Sequence, residues 1–237
     1  MYRCLSTILS TWYKTMLPLH NGTFFVEPQP LYISQFIGIY PSNITTKTPL
    51  TNKKHMKQFG AKDSQEFTFW AWRDCGIACI KMILSAKGKA KKKTIMDLTR
   101  EGIKLGGYIV YENKKLVDKG WFHNSLVDLL KKYTIQSYTR KFQSAESVAL
   151  DILKNRFVVL SVLVPGRSHI QENGSFEAKD KYKPGGHLLL AYGVKMNGND
   201  IQGFYVHDPR GLKKYQKNTY VSKLVFDQIF TNRSIVV

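Results

Sequence analysis

Cys75 stands in the stretch WAWRDCGIAC (residues 70–79), directly after an aspartate and before a glycine. Asp74 is a residue type that favours helix N-caps, which puts Cys75 in the first helical turn. There the unpaired backbone N–H groups and the positive dipole end favour a thiolate, lowering a thiol pKa whose free value is about 8.5. The same N–H groups can donate to an oxyanion formed on an attacked carbonyl. Gly76 is expected to let a substrate backbone come close. Taken alone, the stretch fits a small buried cysteine better than a nucleophile. Cys79, one turn later, reads as core packing.

A thiolate needs a base, and six histidines are available: His20, His55, His123, His169, His187 and His207. His187 alone begins an apolar strand after a Gly-Gly pair (GGHLLLAYGV, residues 185–194), where a side chain can project from a sheet end into a cleft. Downstream, Asn197-Gly198 is a strong signal for a two-residue hairpin turn. With those two residues as the turn, His187 falls directly opposite Asp208, at the ~4.5–5.5 Å Cβ separation of a cross-strand pair. An aspartate there can accept from the imidazole and hold its tautomer. His207 would point to the other face. A four-residue turn would instead pair His187 with Arg210.

The elements that must position these groups show in the hydrophobic pattern. DCGIACIKMILSAKG reads as a helix, with Ile77, Ile80 and Leu84 at helical spacing and Gly88 near its end. SLVDLLKKY (125–133) and AESVALDILKN (145–155) are two further amphipathic helices. RFVVLSVLVP is a β-branched run of strand length ended by Pro165, and HLLLAYGVK and GFYVHD follow a polar loop at 166–184. Residues 219–237 read as a final helix or strand pair. Helices first and antiparallel strands last is an α+β order. Residues 1–62 differ, with five prolines, many Thr and Asn, and short β-like runs such as TFFVE and LYISQFIGIY. They are expected to form an extension with little helix, packed on a main domain of residues 63–237.

DCGIAC, GGHLLLAYGV and GFYVHDPRG, in that order, resemble the motif blocks of papain-like cysteine peptidases of the bacteriocin-processing (double-glycine leader) type. The resemblance spans roughly residues 63–210 and implies a papain-like fold, in which a helix carrying the cysteine packs on an antiparallel sheet carrying the histidine and aspartate. It makes Cys75 the nucleophile, His187 the general base and later the acid, and Asp208 the residue that orients His187. The family's oxyanion-hole glutamine, about six residues before the cysteine, is replaced here by Phe69. Gln65, ten residues before Cys75, reaches the site only if the FTFWAWR segment bulges or curls. The cluster of Phe67, Trp70 and Trp72 either lines the cleft or packs the core. Peptidases of this type often sit on transporters; none is encoded here, so a free-standing enzyme acting on a peptide or protein is expected. Acyl transfer and deamidation would use the same groups.

Composition bounds the alternatives. The chain has 237 residues, 43% apolar and 13% aromatic, enough for one large domain with a sizeable core. No run approaches the ~18 apolar residues of a membrane span. The segment MYRCLSTILSTWYKTML lacks the sustained apolar core of a secretory signal, so a cytoplasmic protein is expected. Cys4, Cys75 and Cys79 form neither a disulfide framework nor a zinc-ligand spacing, so no metal or cofactor is expected. The net charge of +19 is carried mainly by lysine and reads as solvated surface. The run KGKAKKK (87–93) has no interleaved aromatics, which argues against nucleic acid. An acidic partner remains open. The rival function is a non-catalytic module that keeps the fold and holds a peptide or an acidic partner, a reading that the missing glutamine favours.

Overall fold

The computed structural model describes residues 16–39, 47–109, 111–112, 115–116, 118–164, 169–170, 176–177, 185–210 and 217–237. Cys4 and most of the expected 166–184 loop lie outside the described residues. The first half of the chain runs β1 (Gly22–Phe25), α1 (Lys53–Phe59), α2 (Ser64–Ala71), α3 (Cys75–Ala86) and α4 (Ile95–Lys104). A small hairpin of β2 (Tyr111–Glu112) and β3 (Lys115–Leu116) precedes α5 (His123–Lys132), β4 (Tyr138–Lys141) and α6 (Ala145–Leu153). Then come β5 (Val158–Val164), the short pair β6 (His169–Ile170) and β7 (Phe176–Glu177), β8 (Gly185–Asn197) and β9 (Asp200–His207). The chain closes with β10 (Thr219–Ser222), α7 (Lys223–Ile229) and β11 (Phe230–Val236). The final segment thus holds both a helix and strands.

The main sheet has the order β10-β9-β8-β5-β11-β4, with β1 also pairing β8, and all of its pairings are antiparallel. The fold is α+β and papain-like. β5 and β8 read as near-continuous apolar runs because both are central and buried. Helix α3 packs on β8, and Gly76 makes that possible. A Cβ at Gly76 would come within 3.0 Å of Leu188 Cδ1 and 3.2 Å of Trp121 Cγ. Glycine is there to seat the helix rather than to admit a substrate, which corrects the expectation from sequence.

Two further expectations change. Asp74 does not cap α3 with its side chain; its backbone (φ −86°, ψ 27°) is outside the extended geometry of a side-chain cap. The carboxylate turns inward and accepts from Thr99 Oγ1 at 2.7 Å. The β8–β9 register also differs. Asn197 pairs with Asp200, so Gly198-Asn199 is the turn, with Gly198 at φ 62°. Irregularities between Ala191 and Gly193 and between Lys195 and Met196 shift the pairing further, and the last pair is Leu190 with His207. His187 and Asp208 are therefore diagonal, not directly opposed. Diagonal neighbours stand ~7–8 Å apart but share a face, which long side chains can bridge.

Residues 16–39 and 47–62 share the core of the rest. Val26, Phe36, Leu50 and Phe59 are buried within it, and the Phe59 and Phe67 rings meet at 4.9 Å across the expected 62/63 boundary. The run LYISQFIGIY forms a turn over residues 35–38 instead of a strand. The segment is clasped to the end of β9: His207 Nε2 donates to Pro30 O at 2.9 Å, and Tyr32 Oη donates to Asp208 O at 2.9 Å. Because the Asn218 N–H donates to His207 Nδ1 at 3.2 Å, the ring is neutral and its tautomer is set.

Two outcomes follow. Truncating Phe36 to alanine should cost about 3–5 kcal/mol in denaturant unfolding, as for any buried phenylalanine; a loss near zero would show that the segment is merely appended. Burial, outweighing the Pro30 carbonyl, pushes the His207 pKa down to about 4. Between pH 6.5 and 4 the unfolded chain therefore binds a proton that the folded chain refuses, so this contribution is intact above pH 6.5 and is lost as pH falls. The full loss is on the order of 2–3 kcal/mol. Unfolding free energies of wild type and His207→Gln across that window should diverge in slope, with the variant flatter.

Candidate active site

Three segments distant in sequence meet at one end of the sheet. Cys75 is the first residue of α3, His187 the third of β8, and Asp208 the first beyond β9. His187 Nε2 lies 2.7 Å from Asp208 Oδ1, and both side chains are buried. The other ring nitrogen is left for Cys75, and the two groups are near enough for each to shift the other's pKa. Asp208 Oδ1 accepts in addition from the Arg210 N–H at 2.9 Å.

The electrostatics follow from this geometry. Burial works against every charged form here, and the contacts overcome it. For Cys75, burial raises the pKa, but the hydrogen bond and charge of His187, with the backbone N–H groups around the sulfur, bring it below the usual thiol value. For His187, burial is outweighed by the charge of Asp208 and by hydrogen bonds to Asp208 and Cys75, so the imidazole pKa is raised. Asp208 is held down to about 2, burial being overcome mainly by His187. A thiol pushed down beside an imidazole pushed up shifts the pair toward the thiolate–imidazolium form.

Asp74, next to Cys75, is shifted toward its neutral form. Burial, reinforced by the neighbouring Cys75 and opposed by the Thr99 hydrogen bond, raises its pKa well above the ordinary carboxyl range. Cys79 is buried with its sulfur 3.7 Å from Leu188 O, and burial pushes its pKa up. It belongs to the core, as expected. Of the aromatic cluster, Trp72 lines the cleft, whereas Phe67 and Trp70 are buried in the core.

Gln65 is not at the site. It is exposed on α2, because FTFWAWR continues that helix and its end turn without bulging. The glutamine that reaches the cleft is Gln35, forty residues before Cys75. It is buried and pinned between the two site-bearing segments. Its backbone N–H donates to Pro209 O at 2.8 Å, and its Nε2 donates to Ala71 O at 2.7 Å. An amide nitrogen carries two hydrogens, so one remains for a ligand. The sequence signal was a lone glutamine in the apolar run YISQFIG, and nothing in its spacing from Cys75 marked it.

Cys75, His187, Gln35 and Trp72 line one cleft of about 840 Å³. Its walls include Tyr108, Trp121 and Phe122 from the region before α5, and Lys141 and Arg233 from β4 and β11. Among the described residues, no group of three His, Cys, Asp or Glu side chains is placed to hold a metal ion.

The model of the Peptidase_C39 like family matches residues 49–234. Among solved structures, the chain is similar to a C39-like peptidase from Bacillus anthracis, at 17% identity over 90% of this chain and 96% of that one, with a TM-score of 0.51. That likeness is one of fold. It is also similar to a double-glycine motif protease from an AMS/PCAT transporter, in complex with the leader peptide, at 13% identity over 68% of this chain and 81% of that one, with a TM-score of 0.37. No curated protein matches the sequence.

Thiol reactivity checks the electrostatics directly. With iodoacetamide near pH 6, Cys75 should be alkylated much faster than buried Cys79, as peptide mass mapping would reveal. His187→Ala removes the largest contribution favouring the thiolate and should move the reaction's pH midpoint upward. An unchanged midpoint in that variant would mean that the imidazole does not act on the sulfur.

Proposed function

The chain belongs to the Peptidase_C39 like family, and we propose that it is a cysteine peptidase that cleaves a peptide or protein substrate through Cys75, His187 and Asp208. The observation that supports this reading is that Cys75 and His187 line one cleft with Asp208 hydrogen-bonded to the imidazole, the thiol and imidazole pKa values being moved toward each other. In the mechanism, the Cys75 thiolate attacks the scissile carbonyl carbon, and the carbonyl π pair moves onto oxygen. Imidazolium His187 gives its proton to the leaving nitrogen, the C–N bond breaks, and a thioester remains. Neutral His187 then takes a proton from water as that water attacks, and the C–S bond breaks to restore the thiolate.

The developing oxyanion needs donors that are already oriented. The first N–H groups of α3 lack intrahelical acceptors, and the free hydrogen of Gln35 Nε2 supplies a side-chain donor. Asp208 keeps the imidazole in the orientation that faces sulfur and favours its charged state. The binding-module alternative rested on a missing glutamine, and Gln35 removes its motive.

A quenched-fluorescent peptide library gives the test. Cys75→Ala and His187→Ala should each lower kcat/KM by about 10⁴-fold or more with the fold intact by circular dichroism. Gln35→Ala should lower kcat by about 10²–10³-fold, the loss typical of one oxyanion donor. Asp208→Asn should do less harm, because an amide oxygen still accepts from Nε2–H; the alkaline limb of its pH profile should move downward, because without the carboxylate charge the imidazolium loses its proton at lower pH. Full activity of Cys75→Ala would exclude the mechanism.

A further inference from the structure

Strands β4 and β11 pair antiparallel with Lys141 directly opposite Arg233. Like charges so placed destabilise a sheet. Two other cations along the cleft are compensated: Arg73 by Asp118 at 2.8 Å, and Arg140 by Asp151 at 2.7 Å. Lys141 and Arg233 are exposed, and among the described residues neither has a carboxylate partner. Both line the cleft that holds Cys75 and His187.

The backbone beneath this pair is fixed in place. The β11–β5 register shifts between Phe230 and Ser234, and Asn232 takes a positive φ of 59° there. Gln143 locks the irregularity. Its N–H donates to Asn232 O at 3.0 Å, and its carbonyl accepts from Asn232 Nδ2 at 2.8 Å. Ser234 Oγ also donates to Gln143 Oε1. On the neighbouring wall, His123 is kept below its ordinary pKa by burial and by Arg233; an imidazole is neutral or cationic and cannot neutralise the pair. An uncompensated cation pair on a rigid support is a preformed anion receptor, and an arginine beside a lysine suits a carboxylate well.

Position identifies the anion. β8, β5, β11 and β4 are successive neighbours in the sheet. At a strand spacing of about 4.8 Å, the pair stands roughly 10–14 Å from His187, the span of three or four extended residues. We propose that Lys141 and Arg233 form a specificity subsite for a carboxylate side chain three to five residues to one side of the scissile bond, so that the preferred substrates are acidic peptides. The proposal rests on the peptidase reading above and adds the substrate class to it.

The test uses the full chain and a fluorogenic decapeptide library in which Glu or Gln is fixed at each position in turn. Glu should outperform Gln by roughly three- to tenfold in kcat/KM at one position three to five residues from the cut, the modest gain of exposed ion pairs. The preference should shrink between 50 and 500 mM salt. Lys141→Gln/Arg233→Gln should abolish it while leaving hydrolysis of the Gln peptides unchanged, which also reports intact folding. Lys141→Glu/Arg233→Glu should reverse it toward Lys. In parallel, the same library retained on immobilised Cys75→Ala protein should be enriched in Glu at that position. Equal treatment of Glu and Gln in both assays, or a preference that survives the double substitution, overturns the subsite. Glu-selective retention without any hydrolysis by wild type would uphold the subsite and strike only the peptidase reading.

Discussion

The contact between His187 and Asp208 is the constraint on which the site depends. Both side chains are buried, and at such a position neither a lone carboxylate nor a lone imidazolium is tolerable without its partner. Their 2.7 Å hydrogen bond makes each charge acceptable to the other, and it turns the remaining ring nitrogen toward Cys75. The lowering of the Cys75 pKa is therefore downstream of a contact that Cys75 does not make. The sheet permits this contact: the start of β8 is held by β5, and the β8–β9 ladder ends at Leu190 and His207, so the side-chain bond joins the two strands just beyond their last pair.

The end of β9 is also held from outside the sheet. Pro30, Tyr32 and Gln35 bond to His207, Asp208 and Pro209 in turn, three successive residues of the site-bearing turn. The segment that looked like an appendage is a brace, and its last contact places Gln35 in the cleft. One stretch thus fixes the backbone of Asp208 and supplies a candidate oxyanion donor. The arrangement couples site geometry to the packing of Phe36 against Trp72, whose rings meet edge to face at 4.9 Å.

Residues beside the cysteine that look chemical in the sequence serve packing. Gly76 is small because Leu188, Leu126 and Trp121 crowd the first turn of α3. Asp74 faces Thr99 in the interior, and its raised pKa favours the neutral form beside Cys75. The first turn of α3 keeps its backbone N–H groups unclaimed by an aspartate cap, which leaves them available to an anion in the cleft. Farther along the cleft, Lys141 and Arg233 add positive charge that no carboxylate among the described residues offsets.

Short-range regularities were legible in the sequence. The helical spacing of Ile77, Ile80 and Leu84, the β-branched run of β5 and the Gly-Gly before His187 determined α3, β5 and the start of β8, because each is a local preference expressed within a few residues. The order of those blocks was enough to single out Cys75, His187 and Asp208. Helix α4 has a readable start in the Thr94–Asp97 capping box, a polar signal that lies outside the apolar periodicity. The β8–β9 register was not legible, because Gly198 takes the first turn position and two irregularities redistribute the pairs, and both outcomes are settled by packing across strands. Gln35 was hidden for the same kind of reason. The chain between it and Cys75 includes helices α1 and α2, and only long-range burial brings Gln35 to the cleft. The sequence by itself determined which side chains could react; the tertiary structure decided which glutamine attends them and which charges line the approach, since those depend on contacts that no local pattern encodes.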